Sequence, residues 1–294
     1  VLVYRWGSDR KTQKVATFER AGVPTLARLK DGRLLAAHQY FPEDGGSDFD
    51  KVAVRFSENE GQNWTAPQVI RLEGLAPDMR FPFDPTLVPL PDGRVRLYFT
   101  SVKGRRPEEH RPAIYSAIST NGVDYEVEPG MRFGIEGRPV IDCAVVLHKG
   151  IFYLYSPDNG AGGAPPGRPG DGRREPGKPL APGTAYAATS TDGLKFIRQT
   201  DVHIEGRRRW LGNAQSDGKT ITFFGTGEPG IWSATSEDGQ SWKLGESLSD
   251  ITGADPGAVA LKDGGYLVLA TGAPRAGTPS ALRRRPPIKP DDPI

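Results

Sequence analysis

The sequence predicts an all-β fold: a five-bladed β-propeller of four-stranded antiparallel blades, with the ring closed by the N-terminal strand. Three observations predict it. A short turn phrase recurs four times, a strand–turn–strand unit recurs out of phase with it, and 37 Gly and 27 Pro accompany an absence of any long apolar helical pattern. Internal repeats spaced by tens of residues indicate a repeat architecture, and four-stranded units around a channel make a propeller.

The turn phrase occupies residues 57–64 (SENEGQNW), 119–125 (STNGVDY), 190–196 (STDGLKF) and 236–242 (SEDGQSW). Each copy reads Ser, then Asn or Asp, then Gly, then an aromatic, and each follows a short apolar run such as residues 113–118. Asn/Asp beside Gly between two strand-like runs marks a hairpin, because Gly accepts the positive φ of a tight turn. The second unit is an apolar strand, an Asp-Gly or Lys-Gly turn, and another apolar strand. It spans residues 24–37, 84–99, 142–155 and 255–270, with a shortened copy at 213–224. Alternating the two hairpins produces four strands per repeat and five repeats. The fifth repeat lacks a closing turn phrase, and residues 1–6 (VLVYRW) are expected to complete its blade, since an open blade would leave an unpaired sheet edge.

Residues 1–284 are expected to form this single domain, followed by a Pro-rich, charged and poorly ordered tail at 285–294. With 38 basic and 36 acidic residues the net charge is +2, which gives no reason to expect nucleic acid as a partner. The basic runs at 207–209 and 283–285 have only three members each and read as solvated loops. No apolar run reaches the length of a membrane span, so no membrane insertion is expected. The one cysteine, Cys143, allows no internal disulfide and reads as a small buried apolar residue, and no Cys/His spacing suggests zinc. The chain starts on a strand without an initiator Met, as a secreted or periplasmic protein would after losing its signal peptide. A monomer is expected.

The turn phrase resembles the Asp-box, or bacterial neuraminidase repeat, of sialidases and related propellers. Residues 57–64 have its full spacing, with Asn59 in the Asp position, and the other three copies are one residue shorter. The second unit, with Asp-Pro at its head, is similar to the five-bladed furanosidase folds of glycoside hydrolase families 43 and 32. The resemblance implies that the turn phrases lie on the face opposite the active site. The long connections, at 38–50, 101–111, 156–184, 225–230 and 271–280, then gather on the functional face, with 156–184 able to act as a lid.

Asp84, Asp142 and Asp255 head three equivalent inner strands and are expected at the channel mouth. In the families resembled, such a ring supplies a general base and a residue that tunes pKa. Glycoside hydrolysis needs one carboxyl held protonated and another ionised, and crowded like charges separate those states. A strand-head Asp before Pro can also simply cap a turn. Glu228 on a top loop is the candidate acid, with Glu136 and Glu205 as further candidates; none matches a motif sharply.

Arg80 and Arg138 each stand four residues before an inner-strand Asp, and Arg209 is near the equivalent place in the next blade. Sialidases grip a substrate carboxylate with three arginines, because guanidinium forks bind carboxylate bidentately. A salt bridge to a neighbouring Asp is the structural alternative. Trp210, with Tyr40, Phe41, Phe81 and Phe83, could stack on a sugar face or pack between blades, and His38 heads the first top loop.

No cofactor is expected. An acidic ring could hold a channel Ca²⁺ through oxygens, but no loop has calcium-ligand spacing. The function expected is that of a carbohydrate-active protein binding a carbohydrate or other small ligand, a sialidase-like or furanosidase-like glycoside hydrolase acting at the channel top. The alternative is a non-catalytic propeller that binds glycan or protein, or a scaffold.

Overall fold

The computed structural model describes residues 1–104, 111–158, 180–228 and 230–272. The Pro-rich tail and most of the expected lid lie outside the described residues. Five small antiparallel sheets stand in a ring, and no helix occurs among the described residues.

The chain begins with β1 (Leu2–Trp6) and β2 (Thr12–Thr17), then builds the first blade from β3 (Ala21–Arg28), β4 (Leu34–Tyr40), β5 (Lys51–Ser57) and β6 (Gln68–Val69). The second blade holds β7 (Arg71–Glu73), β8 (Phe83–Pro89), β9 (Val95–Lys103), β10 (Arg111–Ser119) and β11 (Asp124–Val127). The third holds β12 (Ala144–His148), β13 (Ile151–Pro157), β14 (Thr184–Ser190), β15 (Ile197–Arg198) and β16 (Val202–His203). The fourth holds β17 (Arg208–Ser216), β18 (Ile221–Gly227), β19 (Ile231–Ser236) and β20 (Lys243–Leu248). The last is made of β21 (Ala254–Ala260) and β22 (Tyr266–Thr271) joined to β1 and β2 in the order β2-β1-β22-β21.

Ring closure therefore uses two N-terminal strands rather than the one read from the sequence. β1 pairs with β22 over five residues, from Leu2↔Ala270 to Trp6↔Tyr266, and β2 covers its outer edge. A second splice joins the first two blades. Gln68–Val69 pairs in the first blade, and Arg71–Glu73 runs parallel to β11 as a fifth strand of the second.

The apolar core is divided into five clusters, one at each junction between neighbouring blades. Both faces of a middle blade are thus buried, which is why the strand Leu34–Tyr40 is buried along nearly its whole length instead of on alternate residues. Contacts run from β3 to β8 to β12 to β17 to β21 and back to β3, so these five strands line the channel.

The recurrent turn phrase is a cradle for backbone amides. Ser236 Oγ accepts the Gly239 N–H at 2.8 Å, and the Asp238 carboxylate accepts the N–H groups of Gln240 (2.8 Å) and Ser241 (2.7 Å). Ser190 and Asp192 repeat the pattern at Gly193, Leu194 and Lys195, and these amides hold the Asp192 carboxyl down at about 2. The glycine is required twice over. Gly193 and Gly239 lie at φ 71° and 73°, and a Cβ on Gly239 would overlap the Tyr153 ring. The preceding blade reaches across to the same corners, Tyr98 Oη donating to Gly193 O and Tyr155 Oη to Gly239 O, both at 2.8 Å. Each corner is therefore also a clasp between blades.

Of the four corner aromatics, Tyr125 is 2% exposed, while Trp64, Phe196 and Trp242 are half-buried. The Tyr125 hydroxyl is buried without a hydrogen-bond partner among the described residues. A buried hydroxyl left unpaired costs free energy that a ring of the same shape does not. Tyr125→Phe is accordingly expected to stabilise the protein by about 1 kcal/mol, raising Tm by roughly 2–4 °C for a domain of this size. A fall in Tm on thermal denaturation would show that the hydroxyl has a partner after all.

Candidate functional site

The heads of all five inner strands meet around one cavity of about 20 Å³, lined by Val23, Pro24, Asp84, Pro85, Thr86, Asp142, Cys143, Leu211, Gly212 and Asp255. That volume holds a single water molecule. The positions are built alike. Val23, Asp84, Asp142 and Asp255 all adopt left-handed backbone, at φ 45°, 51°, 65° and 51°. Four of the five inner strands slip register at this point, between Gly22 and Thr25, Phe83 and Thr86, Arg209 and Gly212, and Ala254 and Gly257. Bulges re-aim side chains, and here they turn the strand heads toward the axis. A left-handed conformation costs a non-Gly residue on the order of 1–3 kcal/mol, and such strain concentrates at functional sites.

Three of the five heads carry carboxyl groups. Burial, followed by the neighbouring Asp84 and Asp255 carboxylates, pushes the Asp142 pKa well above the usual carboxylate range; Arg209 partly offsets this, and a hydrogen bond between Asp142 and Asp84 adds to it. Burial also raises the Asp255 pKa, opposed by Arg209 and by a hydrogen bond to Thr271. Both carboxyls are thus pushed toward their protonated forms, Asp142 by burial and two carboxylate neighbours and Asp255 by burial, and Arg209 opposes the shift at each. Among the described residues no three His, Cys, Asp or Glu side chains are disposed to hold a metal ion.

The other sequence candidates are placed differently. Glu228 projects into solvent, its side chain 75% exposed and 3.8 Å from Arg207, and it does not line the cavity. Glu136 and Glu205 are exposed as well. His38 is fully buried among Phe18, Tyr40 and Arg55, and burial lowers its pKa to about 4, so it is a neutral packing residue and not part of the mouth. Trp210 is 1% exposed. It packs against Phe223, Trp242, Trp232 and Tyr155, and its indole donates to Gly183 O at 2.8 Å, so no face is left for a sugar. Arg80 pairs with Asp50 at 2.7 Å and stacks over Phe83; Arg138 pairs with Asp158 at 2.9 Å and donates to Tyr186 Oη at 3.0 Å. Arg209 is exposed on β17 and is the arginine whose charge reaches Asp142 and Asp255.

Three threonines at the site were missed in the sequence. The left-handed residue of one blade donates its N–H to a hydroxyl on the second strand of the blade before it: Asp142 N to Thr100 Oγ1 (3.0 Å), Asp255 N to Thr226 Oγ1 (2.9 Å) and Val23 N to Thr271 Oγ1 (2.8 Å). A signal was present, since Thr100, Thr226 and Thr271 lie in the C-terminal halves of the second strands of their three repeats, within the strings FTS, GTG and ATG.

Comparison with known proteins bears on the fold. No known family profile matches the chain, and no curated protein matches it. Among solved structures, it is similar to a family 43 β-xylosidase/α-arabinofuranosidase from a compost microbial metagenome, solved with xylotriose (TM-score 0.58, 17% identity, 87% of this chain and 86% of that one). It is also similar to a family 43 enzyme from Xanthomonas citri complexed with xylotriose (TM-score 0.59, 15% identity, 86% and 82%). A family 32 β-fructofuranosidase of Bombyx mori aligns with TM-score 0.56 and 12% identity over 84% of this chain, which spans only 54% of that enzyme. At these identities the likeness establishes a five-bladed propeller shared with glycoside hydrolases, and fold alone does not carry activity.

Proposed function

We propose that the protein is carbohydrate-active and hydrolyses glycosidic bonds at the top of the channel. The observation that carries this reading is the convergence of Asp84, Asp142 and Asp255 on a one-water cavity, where burial and neighbouring carboxylates raise the Asp142 pKa well above the usual carboxylate range. In the proposed reaction the Asp142–Asp84 pair delivers its proton to the glycosidic oxygen as the bond to the anomeric carbon breaks. Water adds to that carbon and gives its proton to Asp255, whose ionised form the Arg209 charge favours against the burial that opposes it. An acid and a base held in opposite states are what this chemistry requires. The five-walled cavity suits the end of a glycan better than its middle.

The Ser and Asn/Asp amide cradles support reading the four corners as Asp-box repeats, which brace turns away from the catalytic face. A secreted or periplasmic monomer is part of the same proposal. Among the described residues no helix is long and apolar enough to cross a membrane.

One observation favours a second reading, glycan binding without turnover: about 20 Å³ leaves a sugar ring above the carboxyls, not between them. A panel of chromogenic pentosides, hexosides and sialosides separates the two, with titration calorimetry against the corresponding oligosaccharides alongside. Turnover of at least one glycoside is expected. Binding with no turnover across the panel would replace hydrolysis by lectin-like recognition.

A further inference from the structure

The backbone of Asp142 is gripped from both sides by buried hydroxyls. Its N–H donates to Thr100 Oγ1 on β9 of the preceding blade at 3.0 Å, and its C=O accepts from Ser156 Oγ on β13 of its own blade at 2.7 Å. Thr100 and Ser156 both have no solvent exposure. A buried site in the middle of a blade is ordinarily filled by an apolar residue, because a hydroxyl there must find a partner. Each of these hydroxyls finds it in the peptide groups of one left-handed aspartate. The arrangement recurs at the other end of the cluster, where Thr226 Oγ1 accepts from Asp255 N at 2.9 Å while donating to Leu211 O at 3.1 Å.

The left-handed conformation of Asp142, at φ 65°, is unfavourable for a non-Gly residue and places its carboxyl in hydrogen-bond contact with Asp84. Without the two hydroxyls the peptide is free to relax to negative φ, which swings the carboxyl out of the group of charges that face it. Those groups are Asp84 from β8, Asp255 from β21, Arg209 from β17 and the Cys143 thiol next in the chain. The structure assigns Thr100 and Ser156 as positioning residues that clamp Asp142 beside Asp84, with Thr226 holding the N–H of Asp255. This rests on the hydrolase reading for its catalytic consequence, but the clamp itself can be tested without turnover.

The test is a carboxyl ¹³C NMR titration of Asp-labelled protein, with the Asp142 resonance assigned by its absence in Asp142→Asn. In Thr100→Val the Asp142 titration is expected to move to lower pH, toward that of an ordinary aspartate, and Thr100→Ser is expected to restore it. Where a substrate is turned over, Thr100→Val should lower kcat by about 10–100-fold with KM little changed, as a misplaced catalytic group does. The alkaline limb of its pH–rate profile should move to lower pH, because the acid form is lost earlier. Ser156→Ala, a milder change at the other side of the clamp, serves if the Thr100 variant fails to fold. An unmoved Asp142 titration in the folded variants, whatever their stability, would overturn the inference. A moved titration in a protein that hydrolyses nothing keeps the clamp and removes only the hydrolase.

Discussion

A protein lacking residues 1–17 is expected to be unfolded at 25 °C, and to regain structure when a peptide of that sequence is supplied in trans. β1 is an interior strand of the last blade, paired to β22 on one side and β2 on the other. Its Val3 is fully buried, and Val1, Tyr4 and Trp6 are 7–8% exposed, shared between the core clusters on either side of that blade. Removing a single large core side chain costs about 2–5 kcal/mol, so losing four buried side chains together with their strand pairing is comparable to the whole of the roughly 5–15 kcal/mol that holds a typical domain together. The deletion also exposes β22 as an apolar edge, a surface that invites aggregation. Because β22 offers free N–H and C=O groups along its length, the missing hairpin can add back as a strand from outside. Circular dichroism and thermal melting of the truncated protein, alone and with peptide, measure both halves of the expectation. A truncated protein that melts like the whole chain would mean that the ring is closed elsewhere.

What could be read from the sequence divides along physical lines. The corners were legible because an Asn/Asp-Gly turn is a local signal, carried by the conformational freedom of one glycine and the reach of one short side chain. The five inner hairpins were legible for the same reason. β2 and β7 were not, because an outermost strand faces solvent on one side and carries no apolar rhythm: residues 12–17 read TQKVAT and residues 71–73 read RLE. His38 and Trp210 were misplaced by a related effect. In a propeller both faces of a blade are buried against neighbours, so alternation along a strand does not separate inward-facing positions from the channel mouth. A bulge between Arg209 and Gly212 shifts the register beside Trp210 as well. The three aspartates could be picked out by their common place ahead of the turns, two of them before Pro. Their left-handed backbone could not: at Asp142 and Asp255 it is held by hydroxyls of another strand, far away in sequence, Thr100 lying 42 residues from Asp142. Glu228 attracted attention as an exposed acid on a long loop, whereas the carboxyls whose pKa is raised, Asp142 and Asp255, lie within the ring itself.

Replacing Asp142 by Asn is expected to abolish turnover while making the protein more stable at neutral pH. The amide cannot donate the proton that the proposed reaction needs, and general acid–base groups contribute about 10²–10⁴-fold to rate. The stability gain follows from linkage. The folded state holds the Asp142 proton more tightly than the unfolded state, since burial and the neighbouring carboxylates raise its pKa. Between the unfolded value of about 3.9 and the raised folded value, the native protein therefore binds more protons than the unfolded chain, and stability falls as pH rises through that window. Asn has the same shape, carries no charge and needs no proton. Wild type and variant should consequently melt alike below about pH 4, and the variant should gain on the wild type as the pH climbs, by about 2–4 °C in Tm for each kcal/mol relieved. This opposition between activity and stability is the mark of a group kept for chemistry. A purely structural aspartate, one capping its turn through its carboxylate, would show the reverse: the Asn variant would be less stable at neutral pH, and its loss of activity would follow its loss of fold. Melting curves at pH 4 and pH 8, set beside turnover of whichever glycoside the panel identifies, therefore decide which role Asp142 plays.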